Sequence, residues 1–226
     1  MRLRHVRNLL CALVAAVLLV PLTSGTARAA NTSEPVIFVH GFSGKSGQFS
    51  TMTQNFRANG YADNQLYVFG YDSLRSNVTI AHQLSDYIDD VLRRTGASKV
   101  DIVTHSMGGL SSRYYIKYLG GADRVDDWVS LGGPNNGTAV AGFCNILITS
   151  CAEMSLGSSF LKNLNAGDPT PGNVTYTTFR SPCDLVIAPI SSTILEGADN
   201  RRTACLGHIG MISNTGVINA VREVVS

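Results

Sequence analysis

The chain has 226 residues, 44% of them hydrophobic, with 18 Lys and Arg against 16 Asp and Glu. The basic excess sits at the start: Arg2, Arg4, Arg7 and Arg28 precede residue 30 without an acid, which leaves 14 basic against 16 acidic residues beyond it. A net charge of −2 gives no electrostatic footprint for nucleic acid, and the remaining length suits one domain with a good core.

Residues 1–29 read as a secretory signal peptide. A basic head precedes the apolar run Leu9–Leu22, and Ala27–Arg28–Ala29 forms an A-x-A cleavage site. A retained membrane anchor is the alternative, but the run is short for a span and Pro21 breaks it. Export to the outside of the cell is therefore expected. Residues 30–226 are then a single domain. Four cysteines remain in it: Cys144, Cys151, Cys183 and Cys205. An even number in an exported chain points to two disulfides, for which three pairings exist. Cys144–Cys151 and Cys183–Cys205 are favoured, because each closes a short local loop. Zinc is the competing reading, but no pair has C-x-x-C spacing.

In chain order, Pro35–Val39 is an apolar run of strand length, as expected where helices cover both faces of a sheet. The glycine-punctuated loop His40–Gly44 follows, then a helix over 48–59 and a strand over Leu66–Phe69. Val78–Thr95 is the clearest helix: Ala81, Leu84, Ile88, Val91 and Leu92 share one face. Val100–Val103 is a second buried strand that runs into Thr104–His105–Ser106–Met107–Gly108, and Leu110–Tyr118 is helical. Val125–Leu131 is a strand with Trp128 in its core. Residues 132–171 read as an irregular insertion near the site's mouth, pinned by Cys144–Cys151. It is either a partial lid or a packed surface excursion, and Phe160, Leu161 and Leu164 suit one face of a short helix within it. Val174–Phe179 is a strand, Val186–Leu195 resists assignment, Arg201–Gly207 reads as loop, and Ile218, Val221 and Val225 form a closing helical stripe. The alternation of strands and helices predicts an α/β fold with a mostly parallel central sheet and helices on both faces.

Residues 104–108 are organised as a nucleophile elbow, a strand–turn–helix that holds Ser106 exposed above the sheet. Thr104 stands where the motif has glycine. A serine hydroxyl needs a base, an acid and an oxyanion site. Of five histidines, His5 lies in the leader, His82 on a polar helix face, and His105 points away from its neighbour Ser106. The chain order serine–acid–histidine of α/β-hydrolases selects His208 as base and leaves His40 to the oxyanion loop. Asp184, just past the strand that ends at Phe179, is the preferred acid over Asp168, Glu196 and Asp199, and over Asp123, Asp126 and Asp127, which cluster at the wrong end of an earlier strand. A Cys183–Cys205 bridge would tie the acid loop to the base loop. The backbone N–H groups of Phe42 and Met107 are the expected oxyanion donors.

Val39–His40–Gly41, Val100–Val103, His105–Gly109, Tyr114–Lys117 and Gly207–Gly210 together resemble small secreted bacterial triacylglycerol lipases of the Bacillus lipase A type and their actinomycete relatives. The resemblance covers most of residues 35–225. It implies an α/β-hydrolase fold, ester hydrolysis with no cofactor and no metal, an acyl ester or lipid substrate with transient contact at a lipid interface, a monomer, and the roles given to Ser106, Asp184, His208, Phe42 and Met107. Two departures stand out: Thr104 replaces the family's alanine, and Asn135–Pro171 is longer than in its lidless members. A polyesterase, phospholipase or acyltransferase would use the same triad, and a non-catalytic binding module is the remaining alternative.

Overall fold

The computed structural model describes residues 34–226, so the expected leader lies outside the described residues. Six strands form one wholly parallel sheet in the order β2-β1-β3-β4-β5-β6. They are β1 (Val36–Val39), β2 (Leu66–Phe69), β3 (Val100–His105), β4 (Val125–Leu131), β5 (Thr175–Arg180) and β6 (Asp199–Arg202). The helices are α1 (Ser50–Ala58), α2 (Asn77–Thr95), α3 (Gly108–Tyr118), α4 (Thr149–Met154), α5 (Ser159–Asn165) and α6 (Thr215–Val224).

The apolar run of β1 is continuous because the sheet is covered on both faces. Ile37 and Val39 pack into one core with Ile80, Leu84 and Ile88 of α2 and with Trp128. Val36 and Phe38 point the other way, into a second core with Phe49, Met52 and Phe56 and with Ile218 and Val221 of α6. Alternate side chains thus enter opposite cores, which selects apolar residues at every position. None of the described helices is long and apolar enough to cross a membrane.

Two readings change. Arg201 and Arg202, at the start of the expected loop, instead belong to the edge strand β6, which pairs with β5 from Thr177↔Asp199 to Arg180↔Arg202. Its residues are half-buried or exposed and largely charged, so it carries no apolar signal; charge on an edge also blunts pairing with other chains. Residues 132–171 hold the short helix expected around Phe160–Leu164, now α5, and a second one, α4, that was not expected. Leu161 and Leu164 of α5 are buried in the first core. Arg113 and Lys117 of α3 donate to Asn165 Oδ1 and to the Leu164 and Ala166 carbonyls, at the helix end where cations are favoured. Residues 143–147 behave differently: Phe143, Ile146 and Leu147 are 93%, 92% and 90% exposed. Cys144 bridges Cys151 and Cys183 bridges Cys205, with Cα separations of 5.7 and 5.0 Å.

Candidate active site

The elbow begins where β3 ends. The Ser106 N–H donates to Leu131 O at 2.9 Å, and the serine takes φ 54°, the left-handed region that a β-carbon penalises. The following helix then passes so close to β1 that a Cβ on Gly108 would lie 2.6 Å from both the Val39 and His40 carbonyl oxygens. Only glycine fits there. Thr104 is accommodated because its hydroxyl finds a backbone acceptor, donating to Val129 O at 3.0 Å.

His208 and Asp184 come together across 24 residues of chain. The His208 Nδ1–H donates to Asp184 Oδ2 at 2.8 Å, and both side chains are buried. Asp184 Oδ1 accepts the N–H groups of Val186 at 2.9 Å and Ile187 at 3.0 Å. Burial alone would raise this carboxyl. The bond and charge of His208, with the two amides, outweigh it and hold the group below the ordinary carboxylate range. With the proton on Nδ1, the His208 Nε2 is left as an acceptor. The Cys183–Cys205 bridge ties the two loops, and Ser181 adds a polar staple by donating to Leu206 O at 2.6 Å while accepting from the Leu206 N–H at 2.8 Å.

Ser106 is buried to 8% exposure and lines a cavity of about 240 Å³ with Phe42, Thr138, Val140, Ala141, Phe143, Cys144, Met154, Val186 and Ile187. Its hydroxyl makes no hydrogen bond among the described residues. Such bonds are commonly open before substrate arrives. The Phe42 and Met107 N–H groups likewise have no acceptor among the described residues. The loop carrying Phe42 is held from three sides. Gly44 N–H donates to Gly41 O at 3.0 Å, and Ser43 N–H donates to Ser73 Oγ at 2.9 Å. His40 stacks on Tyr71 with ring centroids 4.0 Å apart, and the Tyr71 hydroxyl donates to the His40 carbonyl.

Two residues here carry no sequence signal, Tyr71 and Gln48, and His105, part of the elbow motif, gains a role that its sequence position does not reveal. The His105 Nε2–H donates to the His208 carbonyl at 3.1 Å, while Gln48 Nε2 donates to His105 Nδ1 at 3.2 Å. Burial, then the nearby charge of His208, push His105 down to about 3, so it remains a neutral brace. His82 is exposed on α2, as expected. At the far end of the strands, Asp101, Asp126 and Asp127 converge, but Lys99 pairs with Asp126 at 2.7 Å. Burial, with Asp127 beside it, pushes Asp101 up to about 9. A largely protonated Asp101 and a paired Asp126 make a weak donor set for a cation.

A parallel sheet with a strained serine at the carboxyl end of β3, and an acid–base pair on the loops that follow β5 and β6 at the same edge, is the arrangement of the α/β-hydrolases. Solved structures agree on the fold. Bacillus licheniformis lipase BlEst2 in its mature form superposes with a TM-score of 0.74 at 17% identity, over 87% of this chain and 94% of that one. Aspergillus fumigatus lipase B gives 0.65 at 19% identity, over 82% and 51%. The sequence pattern of the class 2 lipases matches residues 33–204, and the chain belongs to that family. Among curated relatives, the triacylglycerol lipase of Pseudarthrobacter phenanthrenivorans is 32% identical over 124 residues, covering 50% of this chain and 37% of that protein. That of Vibrio cholerae is 31% identical over 115 residues, covering 49% and 35%. The matched part thus spans little more than a third of the length of these relatives.

Proposed function

We propose that the protein is a secreted serine hydrolase that cleaves carboxylic esters of lipid-like substrates through an acyl-enzyme. Ser106 is the nucleophile, His208 the general base and acid, and Asp184 the group that fixes the His208 tautomer and stabilises the imidazolium. His208 Nε2 takes the Ser106 proton as Oγ attacks the ester carbonyl, and the Phe42 and Met107 N–H groups stabilise the oxyanion. Collapse of that adduct expels the alcohol, which takes its proton from His208. Water, deprotonated by the same ring, then releases the acid and restores the serine.

The leaving oxygen must meet His208, so the alcohol lies on the side of Leu185, Gly207 and Ile209, beside the histidine. The acyl chain is left with the apolar cavity between Phe42 and Met154. Phe143 at the cavity and Leu185 and Ile209 beside the histidine are exposed, as are Ile146 and Leu147 of the same segment as Phe143, and such apolar surface suits transient contact with a lipid surface. Two disulfides accord with an oxidising compartment outside the cell. The single observation that carries the reading is the His208–Asp184 hydrogen bond, with Nε2 left without a partner among the described residues, on the same edge of the sheet as the serine elbow. Labelling with a fluorophosphonate followed by mass spectrometry tests it. Label on Ser106 in the wild type and none in S106A is expected; ester turnover surviving in S106A would refute it.

A further inference from the structure

We propose that the Cys144–Cys151 bridge sets how long an acyl chain the Ser106 cavity accepts, an inference that rests on the ester-hydrolase reading above. Val140, Phe143, Cys144 and Met154 form one wall of the cavity, and all come from residues 138–154. The two ends of that stretch are anchored. Thr138 Oγ1 donates to Val186 O at 2.7 Å, and the Ala139 N–H to Ala188 O at 2.8 Å. At the other end, Ser150 Oγ donates to Ser73 O at 2.8 Å. The Glu153 carboxylate accepts the Asn77 N–H at 2.6 Å, at the start of α2.

Between these anchors the wall has little to hold it. From Val140 to Leu147, the hydrogen bonds outside regular helix are turns such as Cys144 N–H to Ala141 O and Leu147 N–H to Cys144 O, and none reaches a distant element among the described residues. Three apolar side chains at its tip, Phe143, Ile146 and Leu147, stand in water and contribute no packing. Ala141 is buried in the first core and Cys144 packs against it; beyond that contact the tie to the body of the protein is covalent, since Cys144 is bonded to Cys151, which is fully buried on α4. The bridge therefore transfers the anchorage of α4 to the cavity wall. Without it, the cavity of about 240 Å³ can open outward along the exposed segment, and further methylenes of an acyl chain gain a place out of water. Each methylene so buried is worth about fourfold in the specificity constant.

The test compares wild type with C144A/C151A, in which Cys183–Cys205 is kept, on p-nitrophenyl butyrate, octanoate and laurate. The laurate-to-butyrate ratio of kcat/KM is expected to rise about tenfold or more in the variant, equivalent to two or more admitted methylenes. V140W narrows the same wall with the bridge intact and should lower the ratio by a similar factor. It decides the matter if the double variant melts below the assay temperature. A folded C144A/C151A, or failing that V140W, with the wild-type ratio overturns the inference. If wild type turns over none of the three esters, the ester-hydrolase reading itself falls; turnover that S106A abolishes, with the ratio unmoved, overturns the bridge's role alone.

Discussion

Asp184→Asn separates a carboxylate that sets a tautomer from one that merely fills space. In the wild type, Oδ1 accepts two backbone amides at 2.9 and 3.0 Å, and Oδ2 faces the His208 Nδ1–H at 2.8 Å. Asparagine keeps its oxygen on the two amides, because they can only donate. Its NH2 group is then turned to His208 and donates to Nδ1, which drives the ring proton to Nε2. That nitrogen then has a proton where it must accept one from Ser106. The expected loss in kcat is about 10⁴-fold, or about 5.5 kcal/mol. The melting temperature should change little, since the amide bonds survive. D184A gives the contrast: it leaves the Val186 and Ile187 amides without their acceptor at about 1–3 kcal/mol each, so it should be both inactive and less stable. Steady-state hydrolysis of p-nitrophenyl butyrate with active sites counted by fluorophosphonate, alongside thermal melts, reads both effects. A D184N enzyme that keeps more than about a tenth of wild-type kcat would refute the tautomer argument.

H105A removes the donor to the His208 carbonyl and strands the Gln48 amide, so kcat should fall about ten- to a hundredfold with KM held; unchanged kcat would show that the brace does not position the base. Asp101 supplies a pH dependence. Its carboxyl is pushed from 3.8 up to about 9 by burial and by Asp127, so folding favours the protonated form. That contribution is complete below about pH 4, declines as the unfolded chain ionises, and is lost as pH rises through about 9. D101N should therefore stabilise the protein at pH 8 by on the order of 3 kcal/mol and flatten the alkaline decline; parallel melting curves against pH for variant and wild type would refute it. G132A would bring a Cβ within 3.1 Å of Asp184 Oδ2 and 3.2 Å of His208 Cε1 at φ 59°; kcat should drop at least tenfold, and full activity would show that the pair tolerates displacement.

The parts of the fold that could be read from sequence are those whose burial is one-sided or complete. Strand β1 is apolar throughout, and β3 and β4 carry apolar residues such as Val100, Ile102, Val103, Trp128 and Val129, because both cores demand it; α2 is striped because only one face is covered. Strand β6 left no trace because an edge strand is stabilised by backbone pairing, which any residue but proline can supply. In the insertion, α5 was partly legible through Leu161 and Leu164, which enter the core. Phe143, Ile146 and Leu147 are equally apolar and enter nothing, and hydrophobicity alone does not tell the two cases apart.

The candidate site divides along a similar line. Residues that act through a motif, Ser106 and its glycine neighbours, announce themselves locally, and chain order then narrows His208 and Asp184. Residues that hold those groups in place do so across long separations: Tyr71 to His40 spans 31 residues, Gln48 to His105 spans 57, and His105 to His208 spans 103. No local pattern encodes such contacts. Position in a parallel sheet does, since every βα connection leaves from the same edge. The loop with Phe42 follows β1, Ser106 follows β3, Asp184 follows β5 and His208 follows β6, each in its proposed role. Strand β4 lies between the strands that lead to Ser106 and Asp184 and carries none of the proposed catalytic side chains. What it contributes is room, because Gly132 at its end is bare where Asp184 and His208 pass. The spacing of a triad across a sheet therefore depends as much on the residue that is absent from the intervening strand as on the three that are present.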